Sequence, residues 1–451
     1  MKLNKISALM AVAAVSGSAF ATDGYFAHGY GMKAKGMGGA ATAMASDSFG
    51  GANNPASMVW AGDRLDVGVD LFSPKRSASR TGSMAGIDGS ANSGSNLFLV
   101  PEFGFNKMMG WDMSAGVTVY GNGGMNTNYP GGQLPGGPGT VCGNPGTGFN
   151  PGPGPFNLLC GTGNLGINLV QLVIAPTFSM KLNKTNSVGV SLLFGYQKFA
   201  AQGLDGFRGF TATGATSNLT NQGYDDSTGW GLRFGWMGQV SDKVTLGASY
   251  TSKMKMQKFD KYKDLFPSEG MFDMPEAYNL GIAVKATPQL TIAADYQRIN
   301  YGGINSIANP STNGGATTVG TLGCSACRGF GWGSVDVYKL GMEYQVNSNL
   351  TVRAGYNRTD NPITPRDVTF NIIAPGVVQD HYTLGFTYNV SKDSELTMAY
   401  MHAPSKSVTG ASLYNNWVTT TPGVPGGIGI AGNETISMKQ DSLGIAYGMK
   451  F

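Results

Sequence analysis

Charge is scarce in this chain. Only 13% of its 451 residues are Asp, Glu, Lys or Arg, about half the share usual in a soluble domain. The formal net charge of +4 is small for this length and gives no basis for nucleic-acid binding. Histidine is limited to His28, His381 and His402. With four cysteines in two distant pairs, these supply no four-ligand metal site, so neither metal nor other cofactor is expected. After the N-terminus there is no apolar run of 18 residues, which excludes a membrane-spanning helix. Catalytic signatures are missing too. There is no nucleophile elbow, and Gly121-Asn122-Gly123-Gly124 is not followed by the Lys-Ser/Thr of a phosphate cradle. His402 stands near Ser405 past a strand end, with no paired acid nearby. No catalytic residue is assigned, and the chain does not read as an enzyme.

Glycine, by contrast, is abundant at 69 residues, and aromatics make up 10%. Little charge, much glycine and many Tyr and Phe suit a transmembrane β-barrel, whose outer face is apolar and whose lumen uses small and polar residues. The last strand shows the period. Leu443, Ile445, Tyr447, Met449 and Phe451 occupy one face, and Ser442, Gly444, Ala446 and Gly448 the other. The same alternation recurs from Arg64 to Phe72, Leu97 to Phe105 and Met113 to Tyr120, and onward to the last strand at about Ser437 to Phe451. Fourteen such strands are predicted, joined alternately by short turns and by long loops such as 73–96, 121–168 and 402–436. The fold class expected is all-β: a 14-stranded antiparallel transmembrane β-barrel over residues 64–451, with a plug inside the lumen. Ahead of it, residues 1–21 carry Lys2 and Lys5, an apolar stretch Ile6 to Val15 and Ala19-Phe20-Ala21. They read as a cleaved signal peptide, so the mature chain begins at Thr22 outside the cytoplasm.

Between leader and barrel lies 22–63, small and rich in glycine and alanine, without strand periodicity. Its order G-x-G-x(4)-GMGGA-x-TA-x-A-x-D, then Asn54-Pro55-Ala56 and the first strand, resembles the N-terminal hatch of the FadL/TodX family. That family comprises outer-membrane channels for long-chain fatty acids and other hydrophobic compounds, and fourteen strands match its barrel. The resemblance implies a hatch at 22–63 and passive uptake of a hydrophobic molecule, most readily a long-chain fatty acid, across the outer membrane of a Gram-negative bacterium. Uptake of aromatic or alkane hydrocarbons by the same route is the alternative; a water-filled porin or a surface adhesin barrel rank below it. Thr22, Asp23, Gly24, Tyr25 and Phe26, with Asn54, Pro55 and Ala56, become hatch or gating candidates. Family members open sideways at a kinked strand, which points here to Gly121, Gly123 and Gly124, since glycine weakens pairing and permits bulges. The expected partners are the hydrophobic ligand, outer-membrane lipid and lipopolysaccharide, and the barrel assembly machinery that would read the terminal strand; nucleic acid is excluded and a monomer expected. The 121–168 loop departs from the family. Only Phe149, Phe156, Leu158 and Leu159 there offer an outer apolar surface.

Alternation turns Arg233, Lys253, Lys285, Asp295, Lys339, Glu343, Arg353 and Glu395 inward, because an Arg or Lys facing lipid at mid-depth costs about 2–4 kcal/mol. Arg353, Lys339 and Arg233 are candidates for holding a ligand carboxylate; the competing reading pairs these groups with one another or with the hatch. The cysteines fit an oxidising compartment and allow three connectivities, between which sequence does not choose. Cys142 and Cys160 share one loop and Cys324 and Cys327 another, which favours each pair closing its own loop.

Overall fold

The structure, a computed structural model, describes residues 22–84, 86–135, 142, 153–314, 320–415 and 431–451. The expected leader at 1–21 and Phe149 lie outside the described residues. Fourteen long strands make the wall. They are β1 Arg64–Thr81, β2 Phe98–Met108, β3 Met113–Asn126, β4 Gly166–Lys181, β5 Asn186–Gln202, β6 Asp225–Ser241 and β7 Val244–Thr251, then β8 Ala277–Lys285, β9 Leu290–Ile299, β10 Val335–Gln345, β11 Leu350–Thr359, β12 Asp380–Asn389, β13 Ser394–Ala411 and β14 Asn433–Lys450. Each pairs antiparallel with its neighbour in sequence, and β14 pairs with β1 from Arg64↔Lys450 to Thr81↔Asn433. Closure removes the sheet edges, which hydrocarbon could not hydrogen-bond. Two short pieces, Gly89–Asn92 on β1 and Lys255–Met256 on β6, extend the sheet. The fourteen-stranded antiparallel barrel expected from sequence is the fold observed.

Outward side chains form an apolar band. On β14, Leu443, Ile445, Tyr447 and Met449 are exposed while Ser442, Gly444, Ala446 and Gly448 are buried; Val67 and Leu71 continue the band on β1. Such a face is stable where lipid replaces water, each large apolar side chain gaining about 1.5–3 kcal/mol by the transfer. The short connections are built by local chemistry. The Asn183 side chain accepts from the amides of Thr185 and Asn186 at 2.9 Å, and Asn347 does the same for Asn349 and Leu350. These turns lie at one end with Asp63 and Phe451, and the long loops at the other. Several strands run further toward the loop end than their apolar stripe predicts. β1 continues past Phe72 to Thr81, β13 to Ala411 and β3 to Asn126. On β1 and β13 the outward residues there are mostly Ser, Lys and Thr, and on β3 residues 121–126 are buried throughout, so hydrophobic periodicity fades while main-chain pairing persists.

Residues 22–62 fill the lumen. Their elements are the helix Met32–Lys35, the 3-10 turn Pro55–Ser57 and the helix Met58–Ala61. Wall glycines admit this segment: a Cβ on Gly189 would overlap Pro55, on Gly235 Asn54, on Gly247 Thr42 and on Gly355 Gly38. Inward charges then tie it down. Lys35 Nζ lies 2.9 Å from Asp70 and 3.4 Å from Glu102, and Lys33 lies 2.6 Å from Glu395, which also pairs with Arg64. Asp295 accepts from the amides of Ala41 and Thr42 at 2.8 and 2.9 Å. Over the opposite end the long loops fold inward as one apolar core in which Phe266, Phe272, Tyr301 and Trp332 meet Phe199 of β5. Phe156, Leu158 and Leu159 are buried in this core rather than displayed outside. Disulfides join Cys142 to Cys160 and Cys324 to Cys327, each within its own loop.

Candidate functional site

The wall changes character along β3. Its pairing with β2 runs from Ser114↔Met108 to Val119↔Phe103 and stops, although β2 continues to Phe98 against β1. Between Phe98–Glu102 and Tyr120–Asn126, the described residues therefore form no main-chain ladder. On its other side β3 pairs with β4, with a register shift between Gly121 and Gly123 that leaves Asn122 bulged. The three glycines expected to follow a strand are thus inside one, at its bulge.

The N-terminal segment docks on that bulge. Phe26 bridges Gly123, the amide of Gly124 donates to the Tyr25 carbonyl at 3.2 Å, and that of Ala27 donates to the Asn122 carbonyl at 3.4 Å. The Tyr30 hydroxyl also donates to the Asn122 carbonyl, at 3.1 Å, and its ring lies 4.5 Å from that of Tyr120. A Cβ on Gly123 would overlap the Tyr25 carbonyl, so glycine is what permits this approach.

Behind the contact sits an aromatic cluster. Tyr25 lies 5.1 Å from Tyr301, 5.3 Å from Phe26, 6.1 Å from Trp332 and 6.2 Å from Phe272, ring centre to ring centre. The Tyr301 hydroxyl accepts from the amides of Tyr25 and Phe26 at 3.1 and 3.3 Å and donates to the carbonyl of Asp23. Gly24 has φ +70° and a Cβ there would overlap the Tyr301 ring. Thr22 closes the turn, its amide donating to the Phe26 carbonyl. Tyr301, Trp332 and Phe272 belong to loops without periodicity, so sequence reasoning did not single them out.

Asp23 and His28 of the segment are both buried. Burial pushes the Asp23 carboxyl up to about 6, against the pull of Lys339 at 3.9 Å and of the Asn357 amide at 3.3 Å. His28 is held well below its ordinary value by burial and by the nearby His381, Lys35 and Lys339.

Asn54-Pro55-Ala56 lies elsewhere, near the short turns. Asn54 caps the 3-10 turn by accepting from Ala56 N at 3.1 Å and donates to the carbonyls of Thr42 and Trp236 at 2.7 and 2.9 Å. The Ala56 carbonyl accepts from Ser187 and Ser179 on the wall. This is an anchor geometry, distinct from the docked end at Thr22–Phe26.

The three basic residues considered for a carboxylate are each engaged by protein. Arg353 pairs with Glu343 at 2.6 Å and donates to Thr387; Lys339 donates to the His28 carbonyl at 3.0 Å; Arg233 donates to the Gly51 carbonyl at 2.6 Å and to Thr251 at 2.7 Å. Lys253 and Lys285, expected inward, are exposed. Lys253 lies past the end of β7 and Lys285 is the last residue of β8, where alternation no longer confers burial. His402 hydrogen-bonds Asp441 at 2.9 Å, whereas Ser405 bonds Ser437, so the two do not form a nucleophile–base pair. A cavity of about 30 Å³ remains between Phe26, Tyr30, Asn122, Arg233, Gln297 and Lys339, room for about one water.

A plugged barrel with an interrupted β2–β3 seam can be compared with known proteins. The family model described as outer membrane protein transport protein (OMPP1/FadL/TodX) matches residues 163–424. The chain belongs to this family. No curated protein matches it. Among solved structures it is similar to the Pseudomonas putida toluene transporter TodX, with 16% identity over 95% of this chain and 99% of that one and a TM-score of 0.64. It is also similar to a Pseudomonas aeruginosa FadL homologue, with 13% identity over 95% and 99% of the two chains and a TM-score of 0.64. The Ralstonia pickettii toluene transporter TbuX has 17% identity over 94% and 99%, with a TM-score of 0.59. At these identities the structural likeness speaks to the fold, while membership of the OMPP1/FadL/TodX family makes this an outer-membrane transport protein.

Proposed function

We propose that the protein is a passive outer-membrane channel for hydrophobic small molecules, plugged by residues 22–63 and opening sideways through the β2–β3 seam. The reading rests above all on Tyr25–Ala27 supplying main-chain partners to β3 where β2 has ceased to do so. Release of these residues would free the bulge and expose the aromatic cluster to a ligand entering from the loops. A greasy molecule then passes to the bilayer without crossing water. Of the two substrate classes, the engagement of Arg353, Lys339 and Arg233 favours an uncharged compound, such as an aromatic hydrocarbon, over a fatty acid. The leader at 1–21 would export the chain and the terminal strand would present it to the assembly machinery. The barrel closes on itself through the β1–β14 pairing, which fits a monomer.

The test pins the docked residues. The native cysteines are in disulfides, so a short bis-maleimide would react selectively with an Ala27→Cys/Asn122→Cys pair. Pinned protein should lose toluene uptake at least tenfold relative to the unreacted double variant. Equal uptake by the pinned barrel would overturn the seam as the route.

A further inference from the structure

The outside of the barrel carries a pair of exposed lysines remote from the lumen. On β1 and β14 the apolar band ends at the cross-strand pair Leu71↔Leu443, and Tyr400 on β13 lies beside Leu443. Tyrosines at this level mark a membrane interface. Four residues further toward the long loops, Lys75 stands directly opposite Lys439, both exposed and on the same outward face. At about 3.3 Å per residue along tilted strands this is roughly 10 Å above the last apolar pair, the depth of lipid headgroups. Like charges placed directly opposite disfavour the pairing. Among the described residues, neither lysine has an ion-pair or hydrogen-bond partner. Asp441, the acid one step below Lys439 on the same face, hydrogen-bonds His402 and Tyr400 and attracts Lys439 through space without contacting it.

The surroundings complete an anion site. β13 bulges between Ala403 and Lys406, and beside this bulge the Ser405 hydroxyl lies 3.2 Å from that of Ser437. An open recess of about 410 Å³ results, lined by Lys75, Lys439, Ser77, Ser405, Ser437 and Asn92. Two ammonium groups, three hydroxyls and an amide match a phosphate monoester in charge and in hydrogen-bonding capacity. We propose that this recess binds the headgroup phosphate of a phosphorylated glycolipid in the outer leaflet. The acyl chains would lie along the Leu71–Leu443 face beneath. The lipid would act as a fixed annular ligand on the β1–β14 seam, and the proposal does not depend on which substrate is carried.

The experiment uses full-length protein in a neutral detergent, with native mass spectrometry and a fluorescence-detected unfolding temperature. Probes are diphosphoryl lipid A, its dephosphorylated form and inorganic phosphate. Wild type should retain the diphosphoryl lipid at least tenfold more tightly than the dephosphorylated one and gain unfolding temperature with it. Lys75→Gln/Lys439→Gln should lose that preference. Without lipid the variant should unfold no earlier than wild type, since it sheds a repulsion, which separates lost binding from lost folding. Equal retention of both lipids by wild type, or unchanged preference in the variant, would overturn the site. Inorganic phosphate binding as tightly as the lipid would overturn the assignment to a glycolipid.

Discussion

Asp23 and His28 sit five residues apart in the docked segment, and burial pulls their proton affinities in opposite directions. Asp23 titrates at about 6 when docked against 3.8 when free, so the docked state holds a proton that the released state has lost. Its contribution to docking is full below 3.8 and lost as pH rises through about 6, on the order of 3 kcal/mol. His28 is lowered from 6.5, so its contribution is present above 6.5 and lost as pH falls. In wild type the two oppose each other. Single variants should separate them, read by hydrogen exchange of residues 22–30 after correction for intrinsic rates. His28→Asn should gain protection as pH drops from 6 to 4, and Asp23→Asn should lose protection below 6.5. The same slope in both variants would mean that neither group senses docking. Arg353 offers a second residue-level test. Arg353→Met leaves Glu343 unpaired and should lower stability by about 1–3 kcal/mol, while changing toluene and oleate uptake by the same factor. A selective tenfold loss of oleate would return Arg353 to the role of carboxylate ligand.

β3 and the segment docked on it behave as one element, and Gly123 is its hinge point. Gly123→Val places a side chain where the Tyr25 carbonyl lies, so residues 23–27 should lose exchange protection and uptake should rise. If valine instead restored a β2–β3 ladder, amides 120–126 would become protected and uptake would fall. The glycine run itself was legible as a weak point in pairing. Its position inside a strand was not, because the residues after Tyr120 carry no alternating apolar stripe and have only one wall strand, β4, beside them. The barrel was legible for the complementary reason: lipid imposes a strict period of two wherever a strand crosses it, as in Leu443 to Met449. Above the membrane that constraint lapses, and β1 from Ser73 to Thr81 continues on main-chain pairing alone. Tyr301 and Trp332 were illegible because they act through loops whose closure depends on long-range packing. Arg353, Lys339 and Arg233 were correctly placed inward by alternation, yet their partners include backbone carbonyls of the lumen segment, which no strand pattern encodes.

At the scale of the molecule, the lumen segment is held in two unlike ways. Its first residues dock through few main-chain bonds, aromatic contacts and the long Asp23–Lys339 contact, whereas 31–62 are fixed by shorter buried ion pairs, by amides on Asp295 and by the Asn54 cap. The first attachment can be released and rebuilt; the second leaves Asp70, Glu102 and Glu395 facing an emptied lumen if it is lost. Breaking such a buried pair costs about 3–5 kcal/mol, reduced here to the extent that water enters the space. Two deletions should therefore differ in kind. Removing residues 22–27 should free the β3 bulge, raise hydrophobic uptake and leave the unfolding temperature within a few degrees of wild type. Removing 22–63 should give a barrel that conducts small ions in planar bilayers and unfolds well below wild type. If the short deletion conducted ions as freely as the long one, residues 31–62 would not be the seal, and the division into a movable end and a fixed body would be wrong.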